Sequence, residues 1–227
     1  MPIRIHTLIH GVCLGSLNLC FTALLESCFP EDVRRLREKK GGSELYKNAW
    51  IANIVNLQFL VPMTHYFRVV YTCRTGLTIW EQFHAVIGIL VIESFLYYLV
   101  HKAFHDYKQL YWMHSFHHKF NEVILPSTAC AVSVFEFTFA YMLPIVLGSY
   151  IMKADRVSGI IASGIIGGSN LMIHCPLLAN IELPKFLASA KSHFQHHRKL
   201  TQNYGAPVLQ FDSILAWGSS DRAAKQL

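Results

Sequence analysis

Long apolar runs alternate with short polar ones along the chain, and the runs have the length of membrane spans. Five of them lie at roughly 7–29, 49–72, 83–100, 131–152 and 157–180. Each is close to the ~20 residues that an α-helix needs to cross a hydrocarbon core. The second is interrupted by Pro62, His65 and Arg68, which predicts a kinked, interfacial or re-entrant segment. Four or five spans are therefore expected. Between the first two runs lies "PEDVRRLREKKGGSELYK", a charged connector with a Gly-Gly break. The first run continues past twenty residues behind a weakly basic start, which favours a retained helix over a cleaved signal. The predicted fold is all-α: a helical membrane bundle with a helical, histidine-rich cap. Residues 1–82 would hold the N-terminal membrane segments and the connector, and 83–227 the region that carries the chemistry.

Composition strengthens the membrane reading. Hydrophobic residues reach 52% and charged residues only 15%, with a mean hydropathy of +0.31. The net charge of +6 suits a basic membrane face better than nucleic-acid binding. No nucleic-acid motif is present, and no such partner is expected. Charge also orients the bundle. If five spans place the connector in the cytosol, residues 101–130 and 181–227 join it there. Those three regions carry 15 of the 20 Lys and Arg residues, as the positive-inside rule requires. The six cysteines, Cys13, Cys20, Cys28, Cys73, Cys130 and Cys175, form no C-x-x-C pair. They are expected to be small buried hydrophobes.

The histidines change the picture. "HKAFH" places His101 and His105 directly after the third run, "HSFHH" holds His114, His117 and His118, and "HFQHH" holds His193, His196 and His197. Eight of the 13 histidines fall in these windows. Chance predicts roughly 0.04 copies of H-x-x-H-H in such a chain. On a helix, positions i, i+3 and i+4 share a face, so each motif is expected to project its imidazoles together from one helix. All three windows fall on the predicted cytosolic side, outside lipid, where ionisable groups are less costly. Imidazole suits Fe, Zn, Cu or Ni, and eight histidines exceed one tetrahedral zinc site. They suffice for two metals. His174, at the same predicted end of the fifth run, is a ninth candidate ligand. His6, His10, His65 and His84 fall in or beyond the opposite half and are left out.

With H-x-x-x-H, H-x-x-H-H and a late H-x-x-H-H among membrane spans, the chain resembles the fatty acid hydroxylase superfamily. That superfamily includes sterol desaturases, methylsterol oxidases, sphingolipid hydroxylases and alkylglycerol monooxygenases. The likeness runs from about Glu93 to Trp217, over "LYWMHSFHHKF", Leu125-Pro126, Glu136 and "NYG" with Asp212. Three positions depart from the family pattern: Ser133 and Asn170 stand where members often carry histidine, and Phe211-Asp212 replaces a Trp-Asp.

The resemblance implies a dinuclear iron centre (Fe2+/Fe3+) that uses O2 to hydroxylate or desaturate a lipid: a sterol, a sphingolipid or a related lipid such as an alkylglycerol or fatty acyl chain. Zinc has no redox chemistry. No catalytic residue beyond the metal centre is required. Glu136, Asp212 and Asn170 are candidate hydrogen-bond partners of the ligands or their water, with Glu93 a weaker one. The chain carries no flavin, nicotinamide or haem motif, so electrons from NAD(P)H would arrive through an external donor such as a membrane cytochrome b5. The endoplasmic reticulum is the expected location. A non-redox zinc-binding membrane protein or transporter, or an inactive family member, is the alternative.

Overall fold

The computed structural model describes residues 2–71 and 74–216, with side chains from Ile5 onward. Cys73, Trp217, Arg222, Lys225 and the Arg4 side chain lie outside the described residues. Those residues form helices and turns with no strand, only two isolated bridges. α1 (Pro2–Glu26) is followed by the connector helix α2 (Pro30–Glu38). α3 (Gly42–Val55), a π segment (Asn56–Leu60) and α4 (Val61–Tyr71) make one continuous rod. α5 (Ile79–Asp106) leads into a segment of short 3₁₀ turns. A second rod then joins α6 (Val134–Glu136), a π segment (Phe137–Met142) and α7 (Leu143–Ile151). α8 (Arg156–Ile173) and α9 (Ala190–Lys199) follow, and the described residues end in a helical turn at 211–216.

Local chemistry explains where these elements begin and bend. α5 starts at a capping box: Thr78 Oγ1 accepts from the Glu81 amide, and the Glu81 carboxylate accepts from the Thr78 amide at 2.8 Å. Asp155 caps α8 by accepting from the Ser158 amide at 2.7 Å. Both π segments lie just ahead of a proline, Pro62 in one rod and Pro144 in the other. A mid-helix proline removes one i→i−4 bond and crowds the carbonyl four residues back. Widening the turn before it keeps each rod unbroken.

Four stretches are long and apolar enough to cross a membrane: Ile5–Glu26, Ile79–Asp106, Val134–Ile151 and Arg156–Ile173. Their outward faces carry exposed Leu17, Phe21, Phe83, Val91, Phe139, Leu147 and Ile161. Only a hydrocarbon solvent accepts so continuous an apolar surface, and the chain is an integral membrane protein. The α3–α4 rod falls short of that composition because it carries Asn53, Asn56, His65 and Arg68, all buried. It does not turn back. Asn56 binds the 130–132 backbone at one end of the bundle, and Arg68 binds the Asp155 carbonyl at the other. Of the three alternatives for this run, the structure shows the kinked one: a rod with a π segment whose polar side chains face protein.

At the far end, the Arg68 guanidinium is 1% exposed and lies so close to Gly159 that a Cβ there would collide with it. At the opposite end, a short 3₁₀ helix (Pro126–Cys130) and the two residues after it run inside the bundle, where every amide and carbonyl needs a partner. Asn53 Nδ2 donates to the Ser127 carbonyl at 2.6 Å and Asn170 Nδ2 to that of Ala129 at 2.8 Å. Asn56 Nδ2 donates to those of Cys130 and Val132, both at 3.1 Å. Glu26 accepts from the Ser127 amide at 2.8 Å and also from Tyr46 and Trp50. The cysteines differ from expectation: Cys130 and Cys175 are buried, but Cys13, Cys20 and Cys28 are exposed. Cys13 and Cys20 lie on α1, whose surroundings are lipid, so an apolar thiol is accommodated there without burial in protein.

Asn56→Leu leaves the Cys130 and Val132 carbonyls without their shared donor. It is expected to destabilise the bundle by about 1–3 kcal/mol, read as a lower thermal midpoint in detergent.

Candidate metal centre

Nine imidazoles meet at the end of the bundle where α5 and α8 finish. Their ring nitrogens sort into two groups, each gathered within 4.8 Å. One holds His101, His105, His114, His118 and His196; the other holds His117, His174, His193 and His197. Eight of the nine are buried and His105 is half-buried. His6, His10, His65 and His84 belong to neither group.

The sorting corrects the expectation that each H-x-x-H-H motif presents one shared face. His114 and His118 enter the five-histidine group while His117 enters the other. In α9 the roles reverse: His193 and His197 enter the four-histidine group and His196 crosses to the five. Helix geometry supplies the reason. Positions i and i+4 are about 40° apart around the axis, whereas neighbours diverge by about 100°. The adjacent pair His-His must therefore point at two places. The first motif departs further, because His117–Lys119 is a 3₁₀ turn rather than part of an α-helix.

Hydrogen bonds fix which nitrogen is free. His101 Nδ1 donates to the Tyr204 carbonyl at 2.8 Å, His174 Nδ1 to that of Asn170 at 2.7 Å, and His196 Nδ1 to that of Gln202 at 2.8 Å. A carbonyl only accepts, so each Nδ1 holds the proton and each Nε2 a lone pair. His114 Nδ1 donates to Glu136 Oε1 at 2.7 Å in a pair that is almost wholly buried. The Nε2 atoms then converge: His101 to His114 at 2.9 Å, His114 to His118 at 2.7 Å, and His174 to His193 at 2.9 Å. With Glu136 as a carboxylate, His114 Nδ1 holds its proton too, and two lone pairs then face each other between His101 and His114. His196 Nε2 and His117 Nε2 are buried with no hydrogen-bond partner among the described residues. A cation relieves all of these contacts, and the residues fit one or two nitrogen-preferring transition metals.

Burial also keeps the rings neutral. It pushes His117, His118, His193 and His197 well below the ordinary histidine range, and the neighbouring imidazoles push the same way. His174 and His196 fall to about 4 through burial, partly offset by their bonds to the Asn170 and Gln202 carbonyls. Neutral imidazole is the ligating form.

The three candidate partners divide. Glu136 touches a ring directly, through its bond to His114. Asn170 touches His174 through its backbone carbonyl, while its side chain serves Ala129. Asp212 touches no ring. Its carboxylate accepts from the Gly205 amide at 2.6 Å and from Gln210 Nε2 at 3.3 Å. It thereby clamps the 202–205 loop whose carbonyls hold His101 and His196. Among the described residues, the fully buried Glu93 carboxylate accepts a hydrogen bond from Ser94 Oγ at 3.5 Å and from no other side chain. Ser133 joins α6 to the His114 turn, because its hydroxyl accepts from the Glu136 amide and donates to the Met113 carbonyl. Gln202 and Tyr204 were missed from sequence because they act through backbone carbonyls, which any residue type supplies.

An all-helical membrane bundle ending in two buried histidine groups defines the class. The family model described as fatty acid hydroxylase matches residues 85–216, and the chain belongs to that family. Among curated proteins it is similar to "Fatty acid hydroxylase ahd1" of Mycosarcoma maydis, 32% identical over 143 residues, 60% of this chain and 35% of that protein. The chain thus spans about a third of that relative's length. No solved structure matches it.

Glu136→Ala is expected to weaken metal retention by about 10–100-fold, measured by equilibrium dialysis of the detergent-solubilised chain. Acid has a predictable effect on the metal-free chain. Below the ordinary histidine value of 6.5 the unfolded chain takes up protons that the folded one refuses. Stability should therefore fall as pH drops from 6.5, and the loss from His174 and His196 should be complete below about 4, read from thermal melts across that range.

Proposed function

We propose that the chain is the core of a membrane-bound, O2-dependent oxygenase that hydroxylates or desaturates a lipid. The single observation that carries this reading is the gathering of nine neutral imidazoles into groups of five and four at the end of the spans. Membership of the fatty acid hydroxylase family supports it. Five nitrogens in one group exceed the tetrahedral set of a structural zinc, which favours iron over zinc. Two irons are the proposed occupants, one per group.

When bound, such a metal pair supplies the power to oxidise an unactivated C–H bond with O2. The chain supplies everything else. The carbonyls of Asn170, Gln202 and Tyr204 and the carboxylate of Glu136 orient the rings and raise their basicity. Burial excludes bulk water from the site. The apolar spans bring the lipid, and no further acid, base or nucleophile is assigned. Electrons are proposed to come from NAD(P)H through a separate membrane donor such as cytochrome b5. The positive-inside distribution of Lys and Arg supports a cytosol-facing site, and a lipid substrate supports the endoplasmic reticulum. Cytosolic basic residues are suited to steer an acidic donor.

Purification in detergent followed by metal analysis and O2-uptake assay with a reduced donor tests the reading. Iron and lipid-dependent O2 consumption are expected, and His117→Ala or His196→Ala should each abolish turnover without preventing membrane insertion. A protein that holds only zinc and stays inactive after iron reconstitution would overturn the reading in favour of a non-redox zinc protein.

A further inference from the structure

On the outer side of α3, beside the connector helix α2, an open groove of about 550 Å³ runs from Arg37 and Ser43 down to Ile51 and Ile54. Two hydrogen bonds fix its level in the bilayer. The Tyr46 hydroxyl and Trp50 Nε1 both donate to Glu26 Oε1, at 2.8 and 3.2 Å, and Glu26 is the last residue of the first apolar span. Tyr46 and Trp50 therefore lie where hydrocarbon gives way to headgroups, the depth that such amphipathic rings favour. Deeper along α3, Ile51 and Ile54 are 47% and 46% exposed, as suits side chains in lipid. Further out stand Arg37, Ser43 and Lys47, all exposed. From Ser43 to Ile54 the helix rises about 16 Å. That is enough to cross a headgroup layer of roughly 5–8 Å and enter the acyl layer.

The charges beside the groove are unequal. On α2, Arg34 pairs with Glu31 and Glu38, and Arg35 with Asp32. Arg37 has no carboxylate partner among the described residues. Its guanidinium lies 6.0 Å over the Tyr46 ring and lines the groove. Lys47 is 3.7 Å from Glu44, with the two side chains 66% and 64% exposed, and so exposed a pair contributes little. The groove thus sets a guanidinium and an ammonium directly above an apolar wall. A phosphate ester that carries an acyl chain matches both ends, and guanidinium binds phosphate through two parallel hydrogen bonds. A zwitterionic headgroup would bring a third cation between Arg37 and Lys47, whereas an anionic one brings none.

We infer that this groove holds one anionic glycerophospholipid from the leaflet on the histidine side of the bundle. Its phosphate rests on Arg37 and Lys47, and one acyl chain lies along Ile51 and Ile54. The lipid is a bound structural partner, not a substrate, and its binding does not depend on the proposed reaction. It bridges α2 to α3. α2 leads directly into Lys39, which pairs with Glu122 shortly after the His117–Lys119 turn. A lipid that steadies α2 therefore steadies the contact between the connector and the segment that carries His117 and His118.

The test is native mass spectrometry of the full chain in detergent, with palmitoyl-oleoyl phosphatidylglycerol or palmitoyl-oleoyl phosphatidylcholine as probe. The anionic lipid should be retained about ten-fold more than the zwitterionic one. Replacing both groove cations, Arg37→Gln with Lys47→Gln, should abolish that preference. Arg34→Gln with Arg35→Gln removes the same charge from the paired arginines and should change it by less than about two-fold. If the first double variant does not accumulate, Arg37→Gln alone should give a smaller fall in the same direction. Location is read from Trp50. Phosphatidylglycerol brominated on its acyl chains should quench the fluorescence that Trp50→Phe removes, and brominated phosphatidylcholine at the same mole fraction should quench it less. Equal retention of the two lipids, equal losses in the two double variants, or equal quenching by the two brominated lipids would overturn the inference. The readouts need neither metal nor O2. A chain that selects the anionic lipid at these residues yet never consumes O2 would count against the proposed reaction alone.

Discussion

Imidazole lone pairs held face to face, with no proton to place between them, are the constraint on which the rest of this structure depends. His101 and His114 bring their Nε2 atoms to 2.9 Å while each points its Nδ1–H at an oxygen, of Tyr204 and of Glu136. That arrangement is stable only around a cation. It also dictates what the surrounding chain must do. Four rings, His101, His114, His174 and His196, have an oxygen on their outer side, and each of those oxygens is held still. The Tyr204 and Gln202 carbonyls lie on a loop clamped by Asp212, and the Asn170 carbonyl lies on the last turn of α8. Glu136 sits on a short helix whose first turn is capped by Ser133.

The membrane adds a second demand. A 3₁₀ helix (Pro126–Cys130) and the two residues after it lie in the interior of the bundle, where an unpaired carbonyl or amide is costly. Asn53, Asn56, Asn170 and Glu26 answer that demand from three different helical rods. The polar residues of the α3–α4 rod are thus explained by the backbone they serve. They also explain why that rod is less apolar than its neighbours. The two π segments let both rods pass a proline without breaking, and the second of them presents Phe137 and Tyr141 to an apolar cavity below the histidines.

Much of this was legible in the sequence, for physical reasons. Apolar run length reports spans directly, and the spacing of eight histidines is too improbable for packing alone. Glu136 was a candidate because it matches an acidic position of the family pattern and because a carboxylate in an apolar span is costly unless partnered. The division of each H-x-x-H-H motif between two groups was not seen, although the 100° step between neighbouring residues contains it. The anchoring carbonyls were not legible at all, since Gln202 and Tyr204 contribute nothing that their side chains reveal. Asp212 was assigned to a ring and instead holds a loop. A carboxylate close in sequence to the site cannot be told from one in contact with it until the turn at 203–205 is known. Asn170 was noted as a replaced histidine, but its backbone and side chain do different things: the carbonyl accepts from His174, and Nδ2 donates to the Ala129 carbonyl.

Metal counting combined with X-ray absorption at the metal edge tests the central claim most directly. Two metal ions per chain are predicted, in shells of nitrogen at about 2.0–2.2 Å, with the multiple-scattering signature of imidazole. Substituting His196 should perturb the same ion as substituting His114, despite their different motifs. A single ion per chain, a sulfur ligand, or loss of the His193 ion on substitution of His196 alone would contradict it.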